Sequence, residues 1–242
     1  MVSMKKAEQK KTQRTGREYY EKYKRFTELG EEKGLTAAHK MRAVIKIMQK
    51  FFSCPQEFKI ADLGGTYGSW LAFRKNFPES EIYSVNIAAE QVAGCEKKIV
   101  EDFSGGTSLK SGFFDVVFFG DTIEHLVEPD RIMGDIRRIL KKGGFLIITT
   151  PNLASLANRF SLLFGFAPTN YHPSEIRHGT LFGAKQSSWH KSVFTVSAMK
   201  GFLKQHGFRP AVASGFNYRE NFLLGFLPDN WKEGMIVFAE RK

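Results

Sequence analysis

The chain has 242 residues, with 36 Lys and Arg against 25 Asp and Glu and a formal charge of +11. That length suits one full α/β domain with added segments and a large core. Its two cysteines, Cys54 and Cys95, lack CxxC spacing, which argues against a disulfide framework or a thiolate zinc site. The lysine-rich N-terminus lacks the apolar centre of a secretory leader, and no apolar run reaches the ~18 residues a membrane span needs. We therefore expect a cytoplasmic protein. The charge is uneven, since Met1–Lys59 holds 15 Lys and Arg against 7 Glu, which is +8 of the +11. Such a segment can meet nucleic acid or an anionic membrane surface, although a solvated helical face is the commoner case.

Residues 1–14 are charged and aperiodic, the pattern of a frayed end. Tyr19, Tyr20, Tyr23, Phe26 and Leu29 then recur at helical spacing. After a break at Gly34, so do Met41, Val44, Ile45, Met48, Phe51 and Phe52, up to Pro55. Phe58–Leu63 reads as a buried strand, followed by a glycine-rich turn and a helix over Ser69–Asn76. Glu81–Asn86 is a second strand, with a helix starting near Ala89 and Glu90 in its first turn. Lys98–Asp102 and Phe113–Phe119, a continuous apolar run after one acid, Asp115, are the third and fourth strands. Asp130–Leu140 is a helix with Ile132, Ile136, Ile139 and Leu140 on one face, stopped by Gly143 and Gly144. Phe145–Thr150 is a fifth strand closed by Pro151, and strands alternating with helices at this spacing predict a parallel, doubly wound sheet.

The second half is less regular. Leu153 to about Phe166 is an apolar helix whose only charge is Arg159, and residues 167–191 read as a loop rich in Pro, His, Gly and Ser. A helix returns over Thr195–Gln205, with Thr195 as N-cap and Gly207 as its stop. Arg209–Phe216 and Met235–Glu240 read as the final strands. Four segments follow: a basic helical extension (1–55), a ligand-binding core (56–152), an insertion (153–193) and a C-terminal helix with strands that complete the sheet (194–242).

The loop after the first strand carries an acid and two glycines at Asp62, Gly64 and Gly68. It has neither the lysine of a triphosphate loop nor the G-x-G of a dinucleotide loop, so phosphate cofactors are not indicated. The pattern resembles the first motif of the class I S-adenosylmethionine-dependent methyltransferases, with Thr66 where the middle glycine stands in the family. FDVVFFGDTIEHLVEP (Phe114–Pro129) and IRRILKKGGFLIITTPN (Ile136–Asn152) resemble the fourth- and fifth-strand motifs of that class, particularly its ubiquinone-type O-methyltransferase branch. The resemblance implies a Rossmann-like, seven-stranded, mostly parallel α/β sheet with an N-terminal helical extension and a lid inserted after the fifth strand.

It also implies site residues for S-adenosylmethionine. Asp62, Gly64, Gly65, Thr66 and Gly68 would shape the methionine end of the pocket. Asn86 stands where the family places an acid for the ribose hydroxyls. As an amide it gives up the charge-assisted bond, which is roughly twice as strong as a neutral one. Asp102 matches the acid that receives the adenine amino group, Phe103 lies beside it to cover the base, and Gly120 and Asp121 line the methionine and sulfonium portion. Each polar residue also has an ordinary reading as a cap or turn residue. All lie at the carboxyl ends of strands, where open α/β sheets bind ligands.

The activity implied is methyl transfer to a small-molecule acceptor, with an oxygen nucleophile favoured. His125 is the candidate base, because imidazole exchanges protons near neutrality; equally, Glu124 and His125 could form a structural pair. Asp121, Glu124, His125 and the distant His190 resemble the metal set of small-RNA 2′-O-methyltransferases, which would suit Mg²⁺ or Mn²⁺. Residues 153–191 offer an apolar wall (Leu156, Phe160, Leu163, Phe164) and a polar side (Tyr171, His172, His178, Trp189, His190) for an acceptor. Two alternatives stay open: an RNA acceptor, drawn by the basic N-terminus, and a non-catalytic binding or scaffold module, marked by Thr66 and Asn86.

Overall fold

The apolar run of the fourth strand divides its side chains between two faces, and the rest of the molecule is layered on that division. In β4 (Phe114–Gly120), Val117 and Phe119 enter one core cluster, while Val116 and Phe118 enter the other. A strand buried on both sides is apolar on both faces, which is why Val116–Phe119 reads as a continuous run after Asp115. The computed structural model describes residues 33–52, 57–169, 179–181, 190–218 and 225–242.

β1 (Lys59–Leu63), β2 (Glu81–Asn86), β3 (Lys97–Val100), β4, β5 (Leu140–Pro151), β6 (Phe208–Phe216) and β7 (Gly234–Arg241) form one sheet in the order β3-β2-β1-β4-β5-β7-β6. The pairs among β1 to β5 are parallel, and β7 runs antiparallel to both β5 and β6. The expected seven-stranded, mostly parallel Rossmann-like sheet is therefore present. Strand order reverses between β1 and β4, which opens a crevice at their carboxyl ends.

α1 (Lys33–Phe51) and α2 (Tyr67–Asn76) cover one face: Met41, Val44, Ile45 and Met48 pack in one cluster with Trp70, Phe73, Phe118 and Ile236. α3 (Pro129–Ile139) and α5 (Val196–Gln205) cover the other, through Ile132, Met133, Ile136, Ile139, Met199 and Leu203. The short α4 (Leu156–Leu163) follows the carboxyl end of β5, capped by Ser155.

Several boundaries differ from the sequence reading. Gly34 lies inside α1, and the earlier aromatic helix over residues 19–29 falls outside the described residues. The helix expected from Ala89 is a single 3-10 turn, Ala89–Val92. The chain turns at Gly94 against the Tyr67 ring, where a Cβ would lie 2.6 Å from ring carbons. β3 ends at Val100, so Asp102 caps a following turn instead of ending the strand. β5 starts at Leu140 and carries Gly143 and Gly144 through a register shift opposite Phe114–Val116, so these glycines bend a strand. Thr195 caps α5 as expected, its hydroxyl accepting from the Ala198 amide at 3.2 Å. Among the described residues, no helix is long and apolar enough to cross a membrane.

Candidate functional site

The loop leaving β1 is held by its own short-range chemistry. Thr66 is the N-cap of α2 and forms a capping box: its hydroxyl accepts from the Ser69 amide at 3.3 Å, and the Ser69 hydroxyl accepts from the Thr66 amide at 2.9 Å. A threonine in place of a glycine thus secures the start of the helix. The Ser69 hydroxyl also donates to Asp62 at 2.5 Å. Burial pushes the Asp62 carboxyl up from 3.8 to about 7, against the Ser69 hydrogen bond and the Lys40 charge, which both lower it.

The backbone of this loop is drawn tightly onto its neighbours. The amides of Gly64 and Gly65 both reach the Val85 carbonyl, at 2.9 and 3.1 Å. Gly64 has φ +77°, and a Cβ there would collide with the Thr122 hydroxyl. A Cβ on Gly65 would lie 2.8 Å from the Asp62 backbone oxygen, whereas one on Gly68 would meet nothing nearer than 3.7 Å. Asn86 donates to the Gly65 carbonyl at 2.7 Å and accepts from the Ala88 amide at 2.9 Å. Both its amide atoms thus brace the loop and the turn after β2.

Beyond β3, Asp102 accepts through Oδ1 from the amide and hydroxyl of Ser104, at 3.0 and 2.6 Å. Among the described residues, its buried Oδ2 has no hydrogen-bond partner. Phe103 beside it is 7% exposed and packs edge-on to Phe119 within the core.

After β4, Asp121 adopts φ +46°, a left-handed conformation rare outside glycine. Its amide donates to the Thr149 carbonyl at 2.9 Å, and Thr149 donates its hydroxyl to Oδ1 at 2.8 Å. Lys40, on α1, donates to Oδ2 at 2.9 Å. Glu124 is buried and accepts from the Thr150 hydroxyl at 3.1 Å. Burial, and then the Asp121 charge, hold its carboxyl well above the ordinary range.

The 190–192 segment docks on the same turn, since the amides of Lys191 and Ser192 donate to the Glu124 carbonyl at 2.7 and 3.1 Å. His190 and His125 thereby meet edge to face, ring centroids 4.9 Å apart. One ligand atom from each of Glu124, His125 and His190 lies within 4.8 Å of the others. Asp121, expected as a fourth member, faces Lys40 and Thr149. Burial, and then the charges of Asp121, Glu124 and Glu233, push the hydroxyl pKa of Tyr218 well up.

α4 is turned inside out. Asn158 and Ser161 are fully buried, while Phe160, Leu163 and Phe164 are 44%, 74% and 63% exposed. Asn158 Oδ1 accepts from the amide and hydroxyl of Thr169, both at 2.8 Å, and its Nδ2 donates to the Asn152 carbonyl at 3.3 Å. Tyr171, His172, His178 and Trp189 fall outside the described residues.

Lys40, Ser69, Thr149 and Tyr218 were not legible as site residues. Ser69 had a signal, because Thr66-x-x-Ser69 has capping-box spacing with Ser replacing Glu. So did Lys40, which shares a helical stripe with Val44 and Met48 at four-residue steps. Thr149, on β5, and Tyr218, in the bend after β6, are distant in sequence and had none.

The sequence matches a family described as a methyltransferase domain over residues 36–211. No curated protein matches it significantly. Among solved structures, an S-adenosylmethionine-dependent methyltransferase of Thermotoga maritima superposes with a TM-score of 0.64 at 14% identity, covering 93% of this chain and 100% of that one. Another, from Mesorhizobium loti, gives 0.56 at 14% identity over 81% and 96% of the two chains. The Burkholderia thailandensis 1,6-didemethyltoxoflavin-N1-methyltransferase, with its substrate and S-adenosylhomocysteine bound, gives 0.55 at 12% identity over 84% and 78%.

Proposed function

Because this chain belongs to the methyltransferase-domain family, matched over residues 36–211, we propose that it transfers the methyl group of S-adenosylmethionine to a hydroxyl of a small-molecule acceptor. The observation that carries the cofactor assignment is the buried Asp102 Oδ2, for which the described residues provide no donor. A buried carboxylate oxygen left without a partner costs ~1–3 kcal/mol or more, and the adenine amino group is a donor that removes that cost. Gly64 and Gly65 are glycine because a Cβ there meets Thr122 or Asp62, and the space beside Gly68 is what fits the amino-acid end.

In this reading Asp62, Gly64, Gly65, Thr66 and Gly68 form the floor of the methionine pocket, and Gly120 and Asp121 form its opposite wall. Asn86 acts on the ribose through the loop it braces. The bound cofactor supplies a methyl already activated by its sulfonium. What remains for the protein is to align a nucleophile in line and to exclude water. His125 takes the acceptor proton, and the outward Phe160, Leu163 and Phe164 of α4 support an apolar acceptor.

The test is calorimetry with S-adenosylhomocysteine on the whole chain and on Asp102→Ala, alongside a labelled-methyl screen of hydroxylated small molecules. Binding by the parent that weakens at least tenfold in Asp102→Ala is expected. A parent that binds neither S-adenosylmethionine nor S-adenosylhomocysteine overturns the proposal in favour of a scaffold.

The clustering of Glu124, His125 and His190 favours a second reading of the acceptor side. Two imidazoles and one carboxylate fit Mn²⁺ better than the oxygen-seeking Mg²⁺. A metal there would polarise the acceptor hydroxyl, including a ribose 2′-hydroxyl of RNA. The readings diverge at His125, since a nitrogen bound to metal is not available to take a proton.

A further inference from the structure

α1 joins the core as fully as α2 does, through Met41, Val44, Ile45 and Met48. Lys40 lies on that stripe, and its side chain is 14% exposed. Its ammonium reaches the carboxyl edge of the sheet, where it bonds Asp121 at 2.9 Å and lowers the titration of Asp62 and Glu124 by its charge. One lysine from outside the strand motifs therefore sits among three acids from β1 and the turn after β4.

Two features indicate what that charge is for. Asp121 does not need it for position, because Thr149 already holds its amide and Oδ1. Asp121 also engages one of three ammonium donors, on a flexible four-carbon stem that can redirect the others. Second, the usual place for an anion beside a glycine loop is the N-terminus of the next helix. Here the Thr66–Ser69 capping box already takes the Ser69 amide of that end. An anionic group entering between the β1 loop and Asp121 would meet the Asp121 carboxylate and a partly capped helix end, with Lys40 as the cation at hand.

On the functional reading above, we infer that Lys40 binds the α-carboxylate of the cofactor's amino-acid end, sharing or exchanging its bond to Asp121. Asp121 suits the cations of that ligand, and Lys40 suits its single anion. α1 is then a wall of the cofactor site.

Two ligands isolate the contact: S-adenosylhomocysteine carries the carboxylate, and 5′-methylthioadenosine lacks the whole amino-acid end. Affinities for both are measured by calorimetry on the full chain, on Lys40→Met and Lys40→Gln, and on Lys40→Met/Asp121→Asn, with melting temperatures as the folding control. A charge-assisted bond predicts roughly a 10- to 100-fold loss for S-adenosylhomocysteine in both single variants. 5′-Methylthioadenosine should bind all of them as it binds the parent. Equal losses for the two ligands, or none, overturn the inference. So does recovery of S-adenosylhomocysteine binding in the double variant, because Lys40 would then serve only to neutralise Asp121. Failure of the parent to bind either ligand overturns instead the functional reading on which the inference rests.

Discussion

Ser69 donates its hydroxyl to the Asp62 carboxylate at 2.5 Å, joining the first turn of α2 to the end of β1 inside the crevice. Burial moves the Asp62 carboxyl from 3.8 to about 7, so between those values the folded chain holds a proton that the unfolded chain has released. The stability linked to this group is full below pH 3.8 and is lost as pH rises through about 7. Asp62→Asn should therefore flatten the fall of melting temperature with pH across that window. Ser69→Ala, by removing a bond that favours the charged form, should move the titration further up. Parallel melting profiles for parent and Asp62→Asn would refute this.

Gly65 and Gly68 separate backbone constraint from ligand constraint. Gly65→Ala drives a Cβ onto the Asp62 backbone, and overpacking of that kind costs ~1–3 kcal/mol. Gly68 lies in the first turn of α2 with open space around it, and alanine there gains up to ~1 kcal/mol of helix propensity. If Gly68 is glycine for the sake of a ligand, Gly68→Ala melts higher and binds S-adenosylhomocysteine more weakly. Chemical denaturation and calorimetry on the same sample read both effects.

Asn158 fixes α4, and its partners vanish in Asn158→Ala. Losing the Oδ1 that accepts from the Thr169 amide and hydroxyl should cost about 1–3 kcal/mol. Phe164→Ser, on the exposed side, should change stability by less than ~0.5 kcal/mol while raising KM for an apolar acceptor. Thermal melts with steady-state kinetics test the pair.

If Glu124, His125 and His190 hold a metal, Mn²⁺ should raise the melting temperature of the parent. The increment should disappear in His125→Ala and in His190→Ala. A chelator should then lower methyl transfer as well as stability. Binding of Mn²⁺ unchanged by His190→Ala would place the ion elsewhere.

The sheet was legible because its strands are punctuated: β2 matches its expected range residue for residue, and β4 announces itself by the apolar run Val116–Phe119. The 3-10 turn after β2 was hidden because Ala89–Val92 has helical composition, and the contact of Gly94 with Tyr67 is tertiary. The strand-end acids were readable in order along the chain. How they are used was not: Asn86 turns inward to Gly65, and Asp121 pairs with Lys40 from a helix set apart as an extension. His190 lies beside His125 where the Glu124 carbonyl accepts from the backbone of Lys191 and Ser192. Pairings of that kind leave no period in the sequence.

The inverted α4 separates two kinds of selection. Its inward amide and hydroxyls secure the helix from the buried side, so its outer phenylalanines and leucines are free to drift without loosening the sheet. On the proposed reading of α4 as the acceptor wall, relatives sharing one cofactor cradle would diverge in what they methylate by changing a few exposed side chains on a single short helix.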